Sequence, residues 1–365
     1  MVLKPLERSW RRMLLAAGRR PFTGLATAKP AALFPLPPAP TMLVIRMERI
    51  GDVLVGVPVL RALRRHYPAA RIDLLVSRAN LAVRDAVAPY VDRVWCYEKS
   101  VGSALALLRA LRRARYDVAV DLVDNPSTTA QIVVRLTRPK VAVGLLHAES
   151  GWYTHAAPTL DPSSVHPVRR IAQVLLPFGI DPADEPLDLE YRLSAEDIAT
   201  AQAVVGTRAR PFRLGVNISG RQPERYWGRN NFISVITEFT KFEPAFETSV
   251  CGLPRDAAEI EAVAVGAGAR ALSPAPSFHR FAAMIHEFDL LLTPDTAVVH
   301  LAAAWKLPAV ILYQSEPGVL PWTPFNSPHR ALLAPGGIPT IPAYRVLTAL
   351  LDLALERGLL SAPPT

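Results

Sequence analysis

Three short polar segments of this chain follow apolar runs, and they carry the side chains best suited to chemistry. The first is Asp295-Thr296, which follows the apolar residues 290–292. Either residue can cap the helix that begins there, which leaves backbone N–H groups free at the positive end of the helix dipole. His300 follows one turn later on the same helix face. The segment predicts a phosphate-bearing ligand, with a well-capped helix and a core histidine as the alternative.

The second segment joins an apolar strand, residues 43–47, to a helix through Gly51 and Asp52. Gly51 permits a sharp turn, and Asp52 then lies at the strand-to-helix corner, where an α/β sheet exposes its reactive groups. Arg46 and Arg49 are close in sequence, and we expect them to hold Asp52 ionised and to attract an anionic partner. Asp52 is therefore a candidate general base, with a simple helix cap as the alternative.

The third segment is Ser219-Gly220, which ends another apolar strand and is followed by Arg225. A small polar turn beside a cation favours a phosphate loop in which Arg225 stabilises a diphosphate. The alternative is a plain strand end followed by a surface arginine. Trp227, two residues further on, is interpreted as a packing residue rather than a stacking platform for a ligand.

Together these segments resemble glycosyltransferase family 9, the ADP-heptose:lipopolysaccharide heptosyltransferases, over about residues 42–333. The resemblance rests on Arg49-Ile50-Gly51-Asp52 with Pro58, on Asn217-Ile218-Ser219-Gly220 with Arg225-Tyr226-Trp227, and on Asp295-Thr296 with His300. The chain departs from the family at Ala297, where glycine is usual, and at Gly228, where proline is expected. None of these departures removes a charged group.

The resemblance implies a GT-B fold, in which two Rossmann-like domains with parallel sheets face a central cleft. It also implies an inverting, metal-independent transfer of heptose from ADP-heptose to a hydroxyl of the lipopolysaccharide inner core, with Asp52 as the base. The donor would be bound by Ser219, Gly220, Arg225, Asp295, Thr296, Ala297 and His300. The acidic acceptor would be bound by Arg46, Arg49, Arg61 and Arg64, for which a solvated helix face is the alternative.

No cofactor is expected besides the ADP-heptose donor, because the sequence has no Asp-x-Asp pair and no cluster of histidines with metal-ligand spacing. Strand and helix patterns alternate along the chain, as is typical of parallel sheets. The predicted organisation is a basic, Pro/Ala-rich and flexible extension (1–41), an acceptor domain (42–185), a linker (186–210), a nucleotide-sugar domain (211–342), and a C-terminal helix that packs back across the domains and ends flexibly (343–365).

The chain has 365 residues and a net charge of +9, of which the extension 1–41 contributes +6 through seven cations and one carboxylate. The remaining +3 does not support general nucleic-acid binding. The apolar runs are too short to span a bilayer. The only two cysteines, Cys96 and Cys251, are far apart and do not suggest a disulfide framework, so we expect a protein of the reducing cytoplasm, with peripheral attachment to the inner membrane as a further option. The extension is either a membrane-surface arm or an inert tail.

Other classes of function remain open from the sequence. A nucleotide-dependent oxidoreductase would also use Rossmann-like domains, but no Gly-x-Gly-x-x-Gly follows the first strand. A transferase could use another nucleotide sugar, or modify a different surface glycan or a protein. A nonenzymatic nucleotide-sugar-binding protein would need Arg225 and Asp295 but would not require Asp52.

Overall fold

The alternating strand and helix patterns fold into two α/β units, Met1–Leu187 and Asp188–Thr365. The computed structural model describes residues 24–25, 34–124, 127–146, 153–220, 225–314 and 320–360. Each unit is built around one parallel sheet. None of the described helices is long and apolar enough to cross a bilayer.

The elements of the first unit follow one another as strand and helix with few interruptions. In chain order they are β1 (Gly24–Leu25), β2 (Thr41–Ile45), α1 (Ile50–His66), β3 (Arg71–Ser77), α2 (Arg84–Val87), β4 (Arg93–Tyr97), α3 (Val101–Ala114), β5 (Val118–Asp121), α4 (Thr128–Thr137), β6 (Val141–Leu145), β7 (His155–Ala157) and α5 (Pro167–Ala172). Short 3₁₀ turns occupy Arg78–Val83 and Gln173–Leu175.

The second unit repeats this alternation. Its elements are α6 (Ala195–Val205), β8 (Phe212–Asn217), α7 (Arg229–Phe242), β9 (Phe246–Cys251), α8 (Ala257–Ala267), β10 (Arg270–Ala271), α9 (Phe278–His286), β11 (Leu290–Pro294), α10 (Val298–Trp305), β12 (Ala309–Gln314), β13 (His329–Ala334) and α11 (Ala343–Glu356). Further 3₁₀ turns lie at Pro254–Asp256 and Ile338–Thr340.

Both sheets have the same strand order. The first runs β4-β3-β2-β5-β6-β7 with β1 added at the β7 edge, and the second runs β10-β9-β8-β11-β12-β13. In each unit three successive strands run from the centre of the sheet to one edge, and the next three run from the centre to the other edge. The direction of strand addition therefore reverses between β2 and β5 in the first unit and between β8 and β11 in the second. Ligands of open α/β sheets bind at the carboxyl ends of the strands beside such a reversal. This order confirms the prediction of two Rossmann-like domains.

The polar segments found in the sequence lie at these reversals because they follow the strands that border them. Asp52 comes after β2, the Ser219 turn follows β8, and Asp295 follows β11. The strands themselves are buried on both faces, as the centre of a parallel sheet requires: in β2, all four residues from Met42 to Ile45 are fully buried. A continuous apolar run that ends in a polar turn is thus the local signal for each site.

Parts of the basic extension pack on the first unit. Strand β1 pairs in parallel with β7, with Gly24 opposite His155. Phe34 is buried, and its ring lies 4.9 Å from that of His155 and 5.3 Å from that of Phe178. These contacts were not predicted, because the extension has few fold signals of its own. The rest of the extension, residues 1–23 and 26–33, lies outside the described residues.

The predicted domain boundaries stay predictions, and the structure adds detail at two of the predicted segments. The passage 186–210, predicted as a linker, contains α6, which begins at a capping box formed by Ser194 and Asp197. Helix α11 packs within its own unit against α7 and strands β12 and β13. A contact of α11 with the first unit stays a prediction, and residues 361–365 lie outside the described residues.

Gly144 on β6 makes room for an aromatic ring, which gives a direct test of packing in the first unit. A Cβ placed on Gly144 would lie 2.4 Å from Cζ of Tyr153. We expect Gly144→Ala to lower the free energy of unfolding by about 1–3 kcal/mol, because the ring must shift. The measurement is urea denaturation followed by circular dichroism. Gly102→Ala is the control, since its Cβ would meet no atom within 4 Å; equal midpoints for the two variants would contradict the packing.

Candidate active site

The carboxylate of Asp52 lies in the first turn of α1, at the carboxyl edge of the first sheet. The helix begins at Ile50 and its N-cap is Arg49, whose side chain makes no capping bond. Asp52 is therefore not the N-cap, and its side chain is only 13% exposed. A carboxylate in the first turn of a helix is favoured by the helix dipole. The turn thus holds a shielded carboxylate in a region of positive potential.

Arg46 holds this turn in place. It is 2% exposed, and its Nε donates to the backbone oxygen of Asp52 at 3.0 Å. Its Nη1 donates to the backbone oxygen of Leu122, just after β5, and its Nη2 lies 3.7 Å from Oδ1 of Asp52. The guanidinium therefore links the two strands at the reversal. We interpret Arg46 as a positioning residue, because burial leaves it little surface for the acceptor contact predicted from the sequence.

Burial raises the pKa of Asp52 above the usual range of an aspartate. Arg46 and Arg49 act in the opposite direction, as the sequence predicted, and Asp124 adds to the increase. Desolvation outweighs the two arginines, so the net shift of the Asp52 pKa is upward, and an ionised Asp52 stays a prediction. A carboxylate that binds protons more readily than an exposed aspartate is better suited to accept one from a hydroxyl.

Two further acids stand at the same reversal, after β5. Asp121 is 1% exposed; it accepts hydrogen bonds from the Tyr153 hydroxyl at 2.7 Å and from the Val123 amide at 3.1 Å. Its burial raises its pKa to about 7. Asp124 forms an ion pair with Arg170 at 2.5 Å. The sequence analysis missed both acids, although an apolar strand ending in a carboxylate is the same signal that identified Asp52.

The predicted acceptor arginines do not all gather near Asp52. Helix α1 runs antiparallel to the strands, so Arg64 lies about 18 Å along the helix axis from Asp52. Arg64 donates to Ala70 O at 2.7 Å and pairs with Asp92 at 2.6 Å, at the amino edge of the sheet. Arg61 donates to the backbone of Pro186. Arg49 is exposed beside Asp52 and is the best placed of the four.

In the second unit, the turn after β8 is fixed by buried polar contacts. Asn217 donates through Nδ2 to Oγ1 of Thr293 at 2.9 Å, which joins the ends of β8 and β11. Ser219 is buried; its hydroxyl donates to Asp256 at 2.5 Å and accepts from the Leu253 amide at 2.7 Å. The Ser219 side chain is thus used inside the loop, and it orients the carboxylate of Asp256.

Gly220 and Arg225 form one structural element on either side of residues 221–224, which lie outside the described residues. A Cβ on Gly220 would lie 2.8 Å from the backbone oxygen of Arg225, so only glycine allows residue 220 to approach Arg225 this closely. Arg225 donates through Nη1 to the carboxylate of Asp295 at 2.6 Å and to its backbone oxygen at 2.9 Å. Among the described residues, Nε and Nη2 of Arg225 have no acceptor, so they are available to an anion.

The loop after β11 presents backbone amides beside this arginine. The Thr296 hydroxyl accepts from the Val298 amide at 3.3 Å, and α10 begins at Val298. In the part of the chain that the structure describes, the amides of Thr296 and Ala297 donate to no protein acceptor. Two free amides at a helix N-terminus beside a guanidinium form a site that can bind an anion such as a phosphate.

Three further residues in or near the motifs contact other groups of the protein: Trp227, His300 and Glu259. Trp227 is fully buried and its indole donates to Ile341 O at 2.8 Å, which confirms it as a packing residue. His300 is 6% exposed, and its ring lies 6.2 Å from that of Trp322. Glu259 is bound by Tyr226 and Arg229. A ligand contact by His300 stays a prediction.

The two departures from the family motifs have local explanations. Gly228 has φ +105°, which proline cannot adopt because its ring fixes φ near −65°. The backbone before α7 therefore differs from that of a proline-containing relative. Ala297 has φ −58°, an ordinary helical value, so this position does not need the conformational freedom of glycine.

Solved glycosyltransferase structures share this fold. The crystal structure of the glycosyl transferase family 9 from Veillonella parvula DSM 2008 has a TM-score of 0.71 at 20% identity, and covers 87% of this chain and 97% of that one. The Escherichia coli heptosyltransferase WaaC with ADP-2-deoxy-2-fluoro heptose has a TM-score of 0.64 at 18% identity, and covers 87% and 99%. These similarities confirm the predicted GT-B fold.

The model of glycosyltransferase family 9 (heptosyltransferase) matches residues 104–333. Because this match covers more than half of the chain, the protein belongs to that family and is a glycosyltransferase. Lipopolysaccharide heptosyltransferase 3 of Escherichia coli strain K12 is 25% identical over 295 residues, which is 76% of this chain and 84% of that protein. Asp52 precedes the residues matched by the family model, whereas the Ser219 turn, Arg225 and the Asp295 loop lie inside them.

Replacing Arg46 tests whether this buried cation holds the Asp52 turn. We expect Arg46→Met to cost about 3–5 kcal/mol of unfolding free energy, because it leaves buried acceptors and the carboxylate without their partner. The pKa of Asp52 should rise further, because Arg46 lowers it. Urea denaturation and ¹³C NMR titration of labelled aspartates measure the two effects. Arg49→Met is the control at an exposed position and should cost less than about 0.5 kcal/mol; equal costs would assign no special role to Arg46.

Proposed function

We propose that this glycosyltransferase moves a heptose from ADP-heptose to a hydroxyl of the lipopolysaccharide inner core, with inversion at the anomeric carbon and without a metal. The proposal rests above all on Asp52, a shielded carboxylate with a raised pKa at the carboxyl edge of the first sheet. Family membership supports the reaction class, and the names of the relatives support heptose and lipopolysaccharide as substrates.

The donor's diphosphate is assigned to the second unit. Arg225 supplies a cation, and the amides of Thr296 and Ala297 supply two further donors. Asp295 fixes the guanidinium and is itself placed for a hydroxyl of the sugar. Asp256, oriented by Ser219 after the second strand of this sheet, is placed as the acidic residue of a Rossmann-like unit that binds a ribose hydroxyl. A solved heptosyltransferase with this fold that holds ADP-2-deoxy-2-fluoro heptose supports ADP-heptose as the donor.

The chemistry is a direct displacement. The acceptor oxygen forms a bond to the anomeric carbon, the bond from that carbon to the phosphate oxygen breaks, and ADP leaves with the electron pair. Asp52 accepts the hydroxyl proton as the oxygen attacks. Attack from the face opposite the leaving group inverts the anomeric centre. Arg225 and the amides stabilise the charge that grows on the leaving phosphate.

Metal independence follows from that electrostatic assignment. The charge that a divalent ion would neutralise on the diphosphate is met by Arg225 and by the positive end of α10. In the described ranges, no three His, Cys, Asp or Glu side chains are grouped so that they could hold a metal.

The acceptor is assigned to the first unit, where Arg49 is the exposed cation beside Asp52. The acidic groups of a phosphorylated core sugar suit such a cation. Contacts by Arg61 and Arg64 are less favoured, since these residues lie toward the other edge of the sheet.

Transfer to a lipid-linked acceptor places the enzyme in the cytoplasm at the inner membrane. Transfer from another nucleotide sugar, or to a different glycan or protein, is the second candidate, and a donor and acceptor screen separates it.

The role of Asp52 is tested by Asp52→Asn in a mass-spectrometric assay with ADP-heptose, other nucleotide sugars and purified core acceptors. We expect kcat to fall by about 10²–10⁴-fold, because the amide cannot accept the proton. ADP affinity, measured by calorimetry, should change little. Asp352→Asn on α11 is the control and should leave turnover unchanged, and EDTA should not slow the wild-type enzyme.

Full turnover by Asp52→Asn would remove Asp52 from the mechanism. Transfer by the wild type from a different nucleotide sugar would correct the donor while leaving the reaction class intact. A strict requirement for a divalent ion would overturn the electrostatic assignment of Arg225 and α10.

The donor site is tested by Arg225→Met. We expect ADP to bind about 10–100-fold more weakly, because a charge-assisted hydrogen bond to a phosphate is worth about 1.5–3 kcal/mol. Isothermal titration calorimetry with ADP measures the loss. The matched control is Arg345→Met, which removes an exposed arginine from α11 of the same unit. Similar ADP affinity for both variants would show that the diphosphate lies elsewhere.

A further inference from the structure

A buried tyrosine–aspartate pair lies beside the Asp52 turn, and the proposed transfer does not use it. The Tyr153 hydroxyl donates to Oδ2 of Asp121 at 2.7 Å, and both side chains are almost completely buried. Strand β6 carries glycine at position 144, where any Cβ would collide with the Tyr153 ring. The fold therefore keeps a slot open for this ring, although burial of a carboxyl group is costly.

A continuous series of hydrogen bonds leads from this pair to Asp52. Oδ1 of Asp121 accepts from the Val123 amide, which fixes the turn after β5. The Leu122 carbonyl in that turn accepts from Arg46, and Arg46 donates in turn to the Asp52 backbone. The strand register supports the path, since Asp121 lies opposite Ile45, the residue before Arg46.

The charged groups around Asp121 share one central cation. Arg46 lowers the pKa of both Asp121 and Asp52, whereas Glu48 raises that of Asp121. Asp124, which is paired with Arg170, also raises the pKa of Asp52, whereas Arg49 lowers it. When Asp121 and Asp52 are both ionised, the Arg46 guanidinium therefore faces two buried carboxylates, and Glu48 is a third acid that interacts with it.

We propose that Asp121 and Tyr153 are positioning residues for the carboxylate of Asp52, and that they act through the turn after β5 and the guanidinium of Arg46. The inference rests on the proposed role of Asp52 as the base. Neither residue needs to touch the substrate. Their function is to hold Arg46 in place and, through the charge of Asp121, to adjust the net electrostatic potential at Asp52.

The arrangement has a consequence for pH. Because the pKa of Asp121 is about 7, this group is mostly neutral below pH 7 and mostly ionised above it. An ionised Asp121 adds a negative potential that offsets part of the positive potential of Arg46 at Asp52. The pKa of Asp52 therefore rises, and Asp52 becomes a stronger base, as the pH passes upward through 7. The Tyr153 hydrogen bond favours the ionised form of Asp121, so loss of the hydroxyl moves this step to higher pH.

The chain offers a matched control at the opposite edge of the same sheet. Tyr116 is also buried, and its hydroxyl donates to the buried Asp73 at 2.5 Å. It lies two residues before the first residue of β5, at the amino end of that strand and far from its carboxyl end. Tyr116→Phe and Tyr153→Phe each remove one buried hydroxyl from an aspartate, so a purely structural role predicts the same behaviour for both.

The experiment uses the full chain with ¹³C-labelled aspartate and follows the Asp52 carboxyl resonance, which is identified by its loss in Asp52→Asn. In the wild type, this resonance should show its own titration and a second, smaller inflection near pH 7. Asp121→Asn should abolish the second inflection, Tyr153→Phe should move it to higher pH, and Tyr116→Phe should leave it unchanged. In the transfer assay, Tyr153→Phe should lower kcat about tenfold with an unchanged donor KM, because the base is less well held.

The outcomes separate this inference from the proposed reaction. An Asp52 resonance without an inflection near pH 7, or one that responds equally to Tyr153→Phe and Tyr116→Phe, overturns the positioning role whether or not transfer occurs. The expected inflections in a protein that transfers no sugar would support the coupling and refute the role of Asp52 as the base.

Discussion

The buried guanidinium of Arg46 is the contact on which the candidate base depends. A cation at 2% exposure is tolerated only when its donors are bound, and this one is bound to the start of α1 and to the turn after β5. These two segments follow strands β2 and β5, which adjoin in space but are separated by three crossovers in sequence. The carboxyl edge of the first sheet is therefore organised by a single side chain, and Asp52 takes its position and part of its proton affinity from it.

In the second unit, the ends of the strands at the reversal are joined with less burial of charged groups. Asn217 and Thr293 join the strands beneath the site through neutral groups, and the half-exposed pair of Arg225 and Asp295 closes it above. This division suits the two halves of a transfer reaction. A base needs a shielded site that adjusts its proton affinity, whereas a diphosphate needs a site with donors that remain open to it.

Much of this site was predictable from local sequence, because a polar turn after an apolar strand must lie at the carboxyl edge of a parallel sheet. That rule located Asp52, Ser219 and Asp295, and it would have located Asp121 had it been applied after β5. The sequence analysis did not account for the direction of the helix. Arg61 and Arg64 lie on the same helix as Asp52, but α1 carries them toward the opposite edge of the sheet. Long-range partners such as Tyr153 and Arg170 could not be predicted, since nothing local to Asp121 or Asp124 specifies them.

Strand β1 has a consequence for solubility. It lies alongside β7, which would otherwise be the last strand of the first sheet, with unpaired backbone groups along its outer side. An open strand of this kind is a template for pairing with another molecule, and proteins commonly cover it. Gly24–Leu25 cover part of the outer side of β7, and we expect a chain trimmed back to its first long strand to self-associate more readily.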